Sequence, residues 1–141
     1  MATAPRFWRE NESRYNMVGF KCHNCGKTYF PPRAICPLCH RKSVGKMEEV
    51  KLKGTGKVFS VTEVQDSLEE LSMMKPYLVA IVEMDEGARV IGQVIDCETC
   101  DVEIGTPVRA TMRKLSEEGP SGIIHYGYKF VPVKANVEKA P

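Results

Sequence analysis

From residue 54 onward, apolar and polar residues mostly alternate with the period of two that marks strands. Over Lys57–Val64, Val58, Ser60, Thr62 and Val64 oppose Phe59, Val61 and Glu63. Tyr77–Met84 is a nearly continuous apolar run, the pattern of a strand buried on both faces. Asp85-Glu86-Gly87 forms a turn, and Arg89–Ile95 returns as the second arm of a hairpin. Pro107–Leu115 alternates again, with Val108, Ala110 and Met112 on one face and Arg109, Thr111 and Arg113 on the other. After a turn at Glu117-Glu118-Gly119-Pro120, Ile124–Phe130 places Ile124, Tyr126, Tyr128 and Phe130 on a common face. Five short strands of this kind predict a small barrel and a mainly β protein. An OB fold is the most common five-stranded closed solution, and a five-stranded SH3-like barrel is its competitor. Strand spacing does not separate the two.

The front of the chain reads differently. Residues 5–16, PRFWRENESRYN, predict a short helix, with Pro5 at a first helical position and Thr3 as a cap before it. Phe7, Trp8 and Tyr15 are its apolar contacts, and Trp8 is expected to pack the helix onto the body or a neighbouring subunit. The organisation read from these patterns is an N-terminal helix over 1–17, a cysteine-bearing ribbon over 18–42 and a charged connector over 43–53. The strand-rich domain follows over 54–133, and a frayed tail over 134–141. The connector is expected to become extended near Val50 and Leu52. Leu68–Lys75 is unusually apolar for a connection between strands. It reads either as a short helix capping the barrel or as a loop that contacts a partner or ligand.

Charge adds an asymmetry. The formal net charge is +2, but residues 1–53 carry 11 Lys+Arg against 4 Asp+Glu, whereas residues 54–141 carry 9 against 14. A basic front and an acidic back suit a partner-binding module better than a general polyanion binder. No apolar run approaches the ~18 residues of a membrane span, and the N-terminus lacks a signal peptide's apolar stretch, so a cytoplasmic location is expected. In that compartment the 6 cysteines read as metal ligands or free thiols and not as a disulfide framework.

Cys22-His23-Asn24-Cys25-Gly26 and Cys36-Pro37-Leu38-Cys39-His40 are two matched knuckles. Each C-x-x-C turn sets two sulfurs on one side of a tight loop, and two facing turns complete a tetrahedron, the geometry zinc accepts. Cys22, Cys25, Cys36 and Cys39 are therefore the expected ligands of one structural zinc, with iron in a rubredoxin-like site as the competitor. Four thiolates fill the coordination sphere and leave no position for water or substrate, so the metal is expected to hold structure and not to catalyse. His23 and His40 each adjoin a better ligand. Cys97-Glu98-Thr99-Cys100 is a third C-x-x-C, flanked by Asp96 and Asp101. Two ligands make no zinc site, and the acidic flanks raise thiol pKa values; one buried and one loop cysteine is the expectation there.

No catalytic constellation emerges. His125 stands apart in sequence from any nucleophile, no Gly-rich phosphate loop is present, and Glu69-Glu70 and Glu117-Glu118 read as solvated turns. Three functions compete. A protein scaffold that also contacts coenzyme A needs cations for the phosphates and an apolar slot for the pantetheine. Arg33, Arg41 and Lys42 supply the first, and Met73, Met74 and Lys75 border an apolar segment that could supply the second. A single-stranded nucleic-acid binder needs aromatic platforms beside a basic groove, which the acidic back half lacks. A rubredoxin-type electron carrier would hold iron.

The ordered features carry a family resemblance. Phe7-Trp8-Arg9 lies in a helix; GFKCHNCGKTYFPPRAICPLC forms a ribbon; Gly54-Thr55-Gly56-Lys57-Val58 opens the barrel, and YGYKFVP closes it. The sequence resembles the domain-of-unknown-function thirty-five family over about residues 5–133. Its most specific pieces are Cys25-Gly26, Phe30-Pro31-Pro32-Arg33 and Cys36-Pro37-Leu38-Cys39. The resemblance implies a rubredoxin-like zinc ribbon joined to an OB fold. It further implies a non-catalytic companion of thiolase-superfamily enzymes associated with acyl-CoA. For archaeal-type chains the implied role is a bridge between acetoacetyl-CoA thiolase and hydroxymethylglutaryl-CoA synthase at the entry to the mevalonate pathway; actinobacterial relatives attach to thiolase-like aldolases. Cys97 and Cys100 are not part of the family pattern.

Overall fold

The structure is a computed structural model, and it describes residues 8–66, 74–98, 101–119 and 121–133. A short helix, α1 (Asn11–Asn16), ends where Met17 turns left-handed at φ 53°. Strands β1 (Val18–Cys22), β2 (Thr28–Tyr29) and β3 (Met47–Lys51) form a three-stranded antiparallel sheet in the order β2-β1-β3. Strands β4 (Thr55–Val64), β5 (Tyr77–Met84), β6 (Arg89–Val94), β7 (Pro107–Glu117) and β8 (Ile124–Pro132) close into a barrel in the order β4-β5-β6-β8-β7. The mainly β architecture with a closed five-stranded barrel is thus the one the alternation predicts. Among the described residues, no helix is long and apolar enough to cross a membrane.

The barrel closes through a narrow seam. Strands β6 and β8 run parallel and share the single pair Val94↔Phe130. The Ile95 amide donates to the Phe130 carbonyl at 2.9 Å. Phe130 is fully buried and fills the interior at this seam, beside Val58, Val82, Val90 and Val108. Gly92 faces it, and a Cβ at that position would stand 2.7 Å from the Phe130 ring. The small residue is what lets the ring reach across the seam.

The ribbon is fastened to the barrel by apolar contacts. Met17 and Leu52 belong to the same buried cluster as the barrel interior, and Phe30 packs against it. Phe30 stands edge-on to Tyr128 at 5.4 Å between ring centres, and Tyr128 stands edge-on to Phe130 at 5.9 Å. Such edge-to-face pairs add to simple burial. The segment expected to extend near Val50 and Leu52 does so as β3, which pairs with β1 along its whole length.

Several expectations need correction. Tyr77–Met84 is buried on one face only: Leu78, Ala80, Val82 and Met84 point inward, while Ile81 is exposed on the outer wall. The alternation over Lys57–Val64 breaks at a β-bulge between Val58 and Ser60, so Val58 is buried and Ser60 and Thr62 are exposed. An inserted residue shifts the later side chains to the opposite face, and Val61 joins Val58 against the core. Trp8 is 73% exposed, so of the two expected contacts the one with the body is slight, and the surface for a neighbouring subunit stays open. Strands β7 and β8 also continue past the seam, which leaves Met112, Ile124 and Tyr126 of the predicted apolar faces exposed. Phe7, Leu68–Met73, Cys100 and the tail from residue 134 lie outside the described residues.

Candidate metal centre

The two knuckles share one backbone design. In the first, the Gly26 amide donates to the Cys22 carbonyl at 2.7 Å; in the second, the His40 amide donates to the Cys36 carbonyl at 2.9 Å. Both donors are left-handed, Gly26 at φ 74° and His40 at φ 48°. The first knuckle thus uses the residue that adopts this conformation freely, and the second uses a histidine where the same turn is needed. Strand pairing of β1 with β2 and β3 anchors the first knuckle. Ser43, fully buried, anchors the second: its hydroxyl accepts from the Cys36 amide at 2.9 Å and donates to the His40 carbonyl at 2.6 Å.

These turns bring the Sγ atoms of Cys22, Cys25, Cys36 and Cys39 within 4.8 Å of one another. Cys22 and Cys36 are fully buried, and Cys25 is exposed. The Tyr29 hydroxyl lies 3.3 Å from Cys36 Sγ, and Asn24 Nδ2 donates to Cys39 Sγ at 3.1 Å. Burial pushes the Cys36 thiol up, but the Tyr29 hydroxyl and the Cys39 and Leu38 amides outweigh it and bring the pKa down to about 6. At Cys25 the Lys27 amide acts downward, yet burial and the three neighbouring thiols prevail and push it up to about 11. Four sulfurs this close cannot all be thiolates without a cation between them, and a divalent ion removes that conflict. An all-sulfur set with hydrogen bonds from amides and side chains fits zinc.

His40 and His23 take other roles. His40 is exposed at the left-handed position, and His23 Nε2 meets Glu48 Oε2 at 2.6 Å. His40→Gly is expected to keep one zinc per chain, and to leave thermal stability unchanged or higher by up to about 1 kcal/mol, because glycine relieves the left-handed strain. Metal analysis together with a melting curve checks both halves of this expectation.

The other residues singled out from sequence are not gathered into one site. Arg33, Arg41 and Lys42 are exposed on the ribbon, the last two in the short 3-10 helix His40–Ser43. Met74 and Lys75 lie just before β5, where Lys75 pairs with Asp66 and Gln93 reaches Met74. No described contact joins the two groups. Met73 lies outside the described residues. Cys97 is half-buried against the core. His125 is buried in β8, with Nε2 at 3.5 Å from Glu118 Oε1.

A groove of about 820 Å³ runs between α1, the ribbon and the barrel, bordered by Arg14, Phe20, Phe30, Gly92 and Tyr128. Its walls come from three distant parts of the chain, so no local motif announces it. Tyr29 and Asn24, which reach the sulfurs, were equally unmarked; their only sequence signal is nearness to the first knuckle.

A three-stranded ribbon with four clustered cysteines, set against a closed five-stranded barrel, defines a zinc-ribbon and OB-fold protein. Residues 14–45 match the ChsH2 rubredoxin-like zinc ribbon domain, and residues 49–113 match the ChsH2 C-terminal OB-fold domain. The chain is similar to the DUF35 domain-containing scaffold protein of Methanocaldococcus jannaschii, at 46% identity over 129 residues that span 92% of this chain and 90% of that protein. It belongs to the DUF35 family. A probable enoyl-CoA hydratase alpha subunit of Thermomonospora curvata is 31% identical over 102 residues, 72% of this chain and 31% of that protein. Among solved structures, the Ltp2-ChsH2(DUF35) aldolase superposes with a TM-score of 0.66 at 27% identity, covering 94% of this chain and 96% of that one.

Proposed function

We propose that this chain is a non-catalytic scaffold that bridges acetoacetyl-CoA thiolase and hydroxymethylglutaryl-CoA synthase and helps bind or channel their acyl-CoA intermediates. The observation that carries the reading is similarity over nearly the whole chain to a protein described as a scaffold. A solved structure named as a DUF35-containing aldolase and a relative named as a probable enoyl-CoA hydratase alpha subunit support the acyl-CoA context. In this reading Cys22, Cys25, Cys36 and Cys39 hold one structural zinc. The cation would supply the charge that lets the four sulfurs stay together, and the chain's own amides, Tyr29 and Asn24 orient those sulfurs.

The benefit of a bridge is proximity. Condensation of two acetyl-CoA molecules is uphill, so the acetoacetyl product stays scarce. Holding the consuming enzyme beside the producing one raises the local concentration of intermediate, as a linker sets effective concentration. Arg33, Arg41 and Lys42 on the ribbon, and Met73, Met74 and Lys75 before β5, are the proposed contacts to partner or coenzyme. The ribbon over 18–42 and the barrel over 54–133 then act as two separate holds. Co-purification of the untagged chain from its native extract tests the reading. Both enzymes are expected among the bound proteins, and the isolated chain is expected to turn over no acyl-CoA. Steady thioester cleavage abolished by a point substitution in the chain would refute the non-catalytic role.

A further inference from the structure

The ribbon's surface differs from the barrel's in how its charges are used. On the barrel, Lys75 pairs with Asp66, Arg89 with Glu83, Arg113 with Asp96 and Lys114 with Glu117, and among the described residues Lys57 and Arg109 are the exposed barrel cations outside such pairs. Residues 18–46 contain six Lys and Arg and no Asp or Glu. All six are exposed, and among the described residues none of them has an ion-pair partner. Within the same stretch three aliphatic side chains stand in solvent: Ile35 at 52% exposure, Leu38 at 59% and Val44 at 62%. The Cys36 amide's bond to Ser43 Oγ holds the backbone beside Ile35 against the backbone beside Val44. Leu38 sits inside the Cys36–Cys39 turn. The fold itself makes little use of these three residues, since none belongs to the buried core.

Resting on the scaffold reading above, we infer that this second knuckle is the ribbon's docking face: Leu38, Ile35 and Val44 enter an apolar seat on a protein partner, and carboxylates around that seat meet Arg33, Arg41, Lys42 and Lys46. Cations without ion-pair partners, interleaved along residues 33–46 with exposed aliphatic side chains, are the complement of such a surface. A nucleic acid fits poorly, because residues 31–46 hold no Phe, Tyr or Trp on which a base could stack. A second copy of the chain fits poorly too. A two-fold contact would oppose these cations to themselves. The metal's part is to fix the backbone that presents the aliphatic residues.

The test is calorimetric titration of the zinc-loaded full chain against each purified enzyme, thiolase and synthase, with Leu38→Glu, Arg41→Glu/Lys42→Glu and Arg109→Glu variants. Arg109 is exposed on β7, away from the knuckles, and serves as the charge control. Metal content shows that each variant keeps its ribbon; exposed Leu38 is not needed for it. Leu38→Glu is expected to weaken binding to one enzyme by about thirtyfold or more, the size of an interface hot spot, and to spare the other. The double variant is expected to weaken the same pairing and to flatten its salt dependence, with Arg109→Glu near wild type there. If wild type binds and the knuckle variants bind equally well, the docking inference is wrong and the scaffold reading stands. If wild type binds neither enzyme, both fall. Loss of single-stranded DNA binding in the double variant, with enzyme binding intact, would assign the face to nucleic acid. Concentration-dependent self-association abolished by Leu38→Glu would assign it to a second copy; either result overturns the inference.

Discussion

Cys36→Ser is expected to take the protein from one zinc per chain to essentially none and to destabilise it by more than about 4 kcal/mol, the range reached when a structural metal is lost. The reason lies in how little else holds the ribbon. Its strand β2 is two residues long, and its largest fully buried side chains are the ligands Cys22 and Cys36 and Ser43, which anchors the second knuckle. Cys36 is also the sulfur best prepared to be a thiolate, with the Tyr29 hydroxyl and two amides directed at it. The damage is expected to spread, because Met17 and Leu52, which adjoin strands β1 and β3 of the three-stranded sheet, contribute to the barrel's buried cluster. Acid is expected to act in the same direction. Zinc is held by thiolates, so protons compete with the metal for the four sulfurs, and stability is lost with the zinc as pH falls. Elemental analysis and chemical denaturation of wild type and variant, with a pH series on the wild type, check these points.

Phe130→Ala is expected to cost about 3–5 kcal/mol, the range for removing a buried aromatic ring. That loss corresponds to a fall in melting temperature on the order of 10 °C for a chain of this length. Phe130 is fully buried, spans the barrel's one parallel seam and supports Tyr128, on which Phe30 of the ribbon rests. Removing the ring leaves a cavity that Gly92 opposite cannot fill. Zinc content is expected to remain at one per chain, because no sulfur contact depends on the ring. The two substitutions thus separate the metal from the barrel core: one removes zinc and stability together, and the other removes stability alone. Melting curves and metal analysis on Phe130→Ala provide the measurement.

Much of this architecture is legible in the sequence where the signal is local. Two C-x-x-C turns specify their own sulfur geometry, and Val108 or Phe130 declare a buried face through simple alternation. The bulge in β4 leaves no such mark, since Val58, Phe59 and Ser60 alternate as well as any regular strand; only the register against β5 reveals the extra residue. The apolar run at Tyr77–Met84 overstates burial because Val and Ile suit an outer barrel wall by shape as well as by hydrophobicity. Contacts between remote segments are the least visible. Phe30 looks like part of the ribbon's Phe-Pro-Pro turn, and nothing nearby in sequence points to Tyr128, on which it rests. The groove between helix, ribbon and barrel is hidden for the same reason.

The bridging role is the central claim, and one experiment meets it most directly. The chain, acetoacetyl-CoA thiolase and hydroxymethylglutaryl-CoA synthase are purified separately, mixed at micromolar concentration and run on size exclusion with light scattering. A single species that contains all three proteins is expected, with no association of the two enzymes when the chain is left out. Three separate peaks at both low and moderate salt, or an enzyme pair that assembles equally well without the chain, would contradict it.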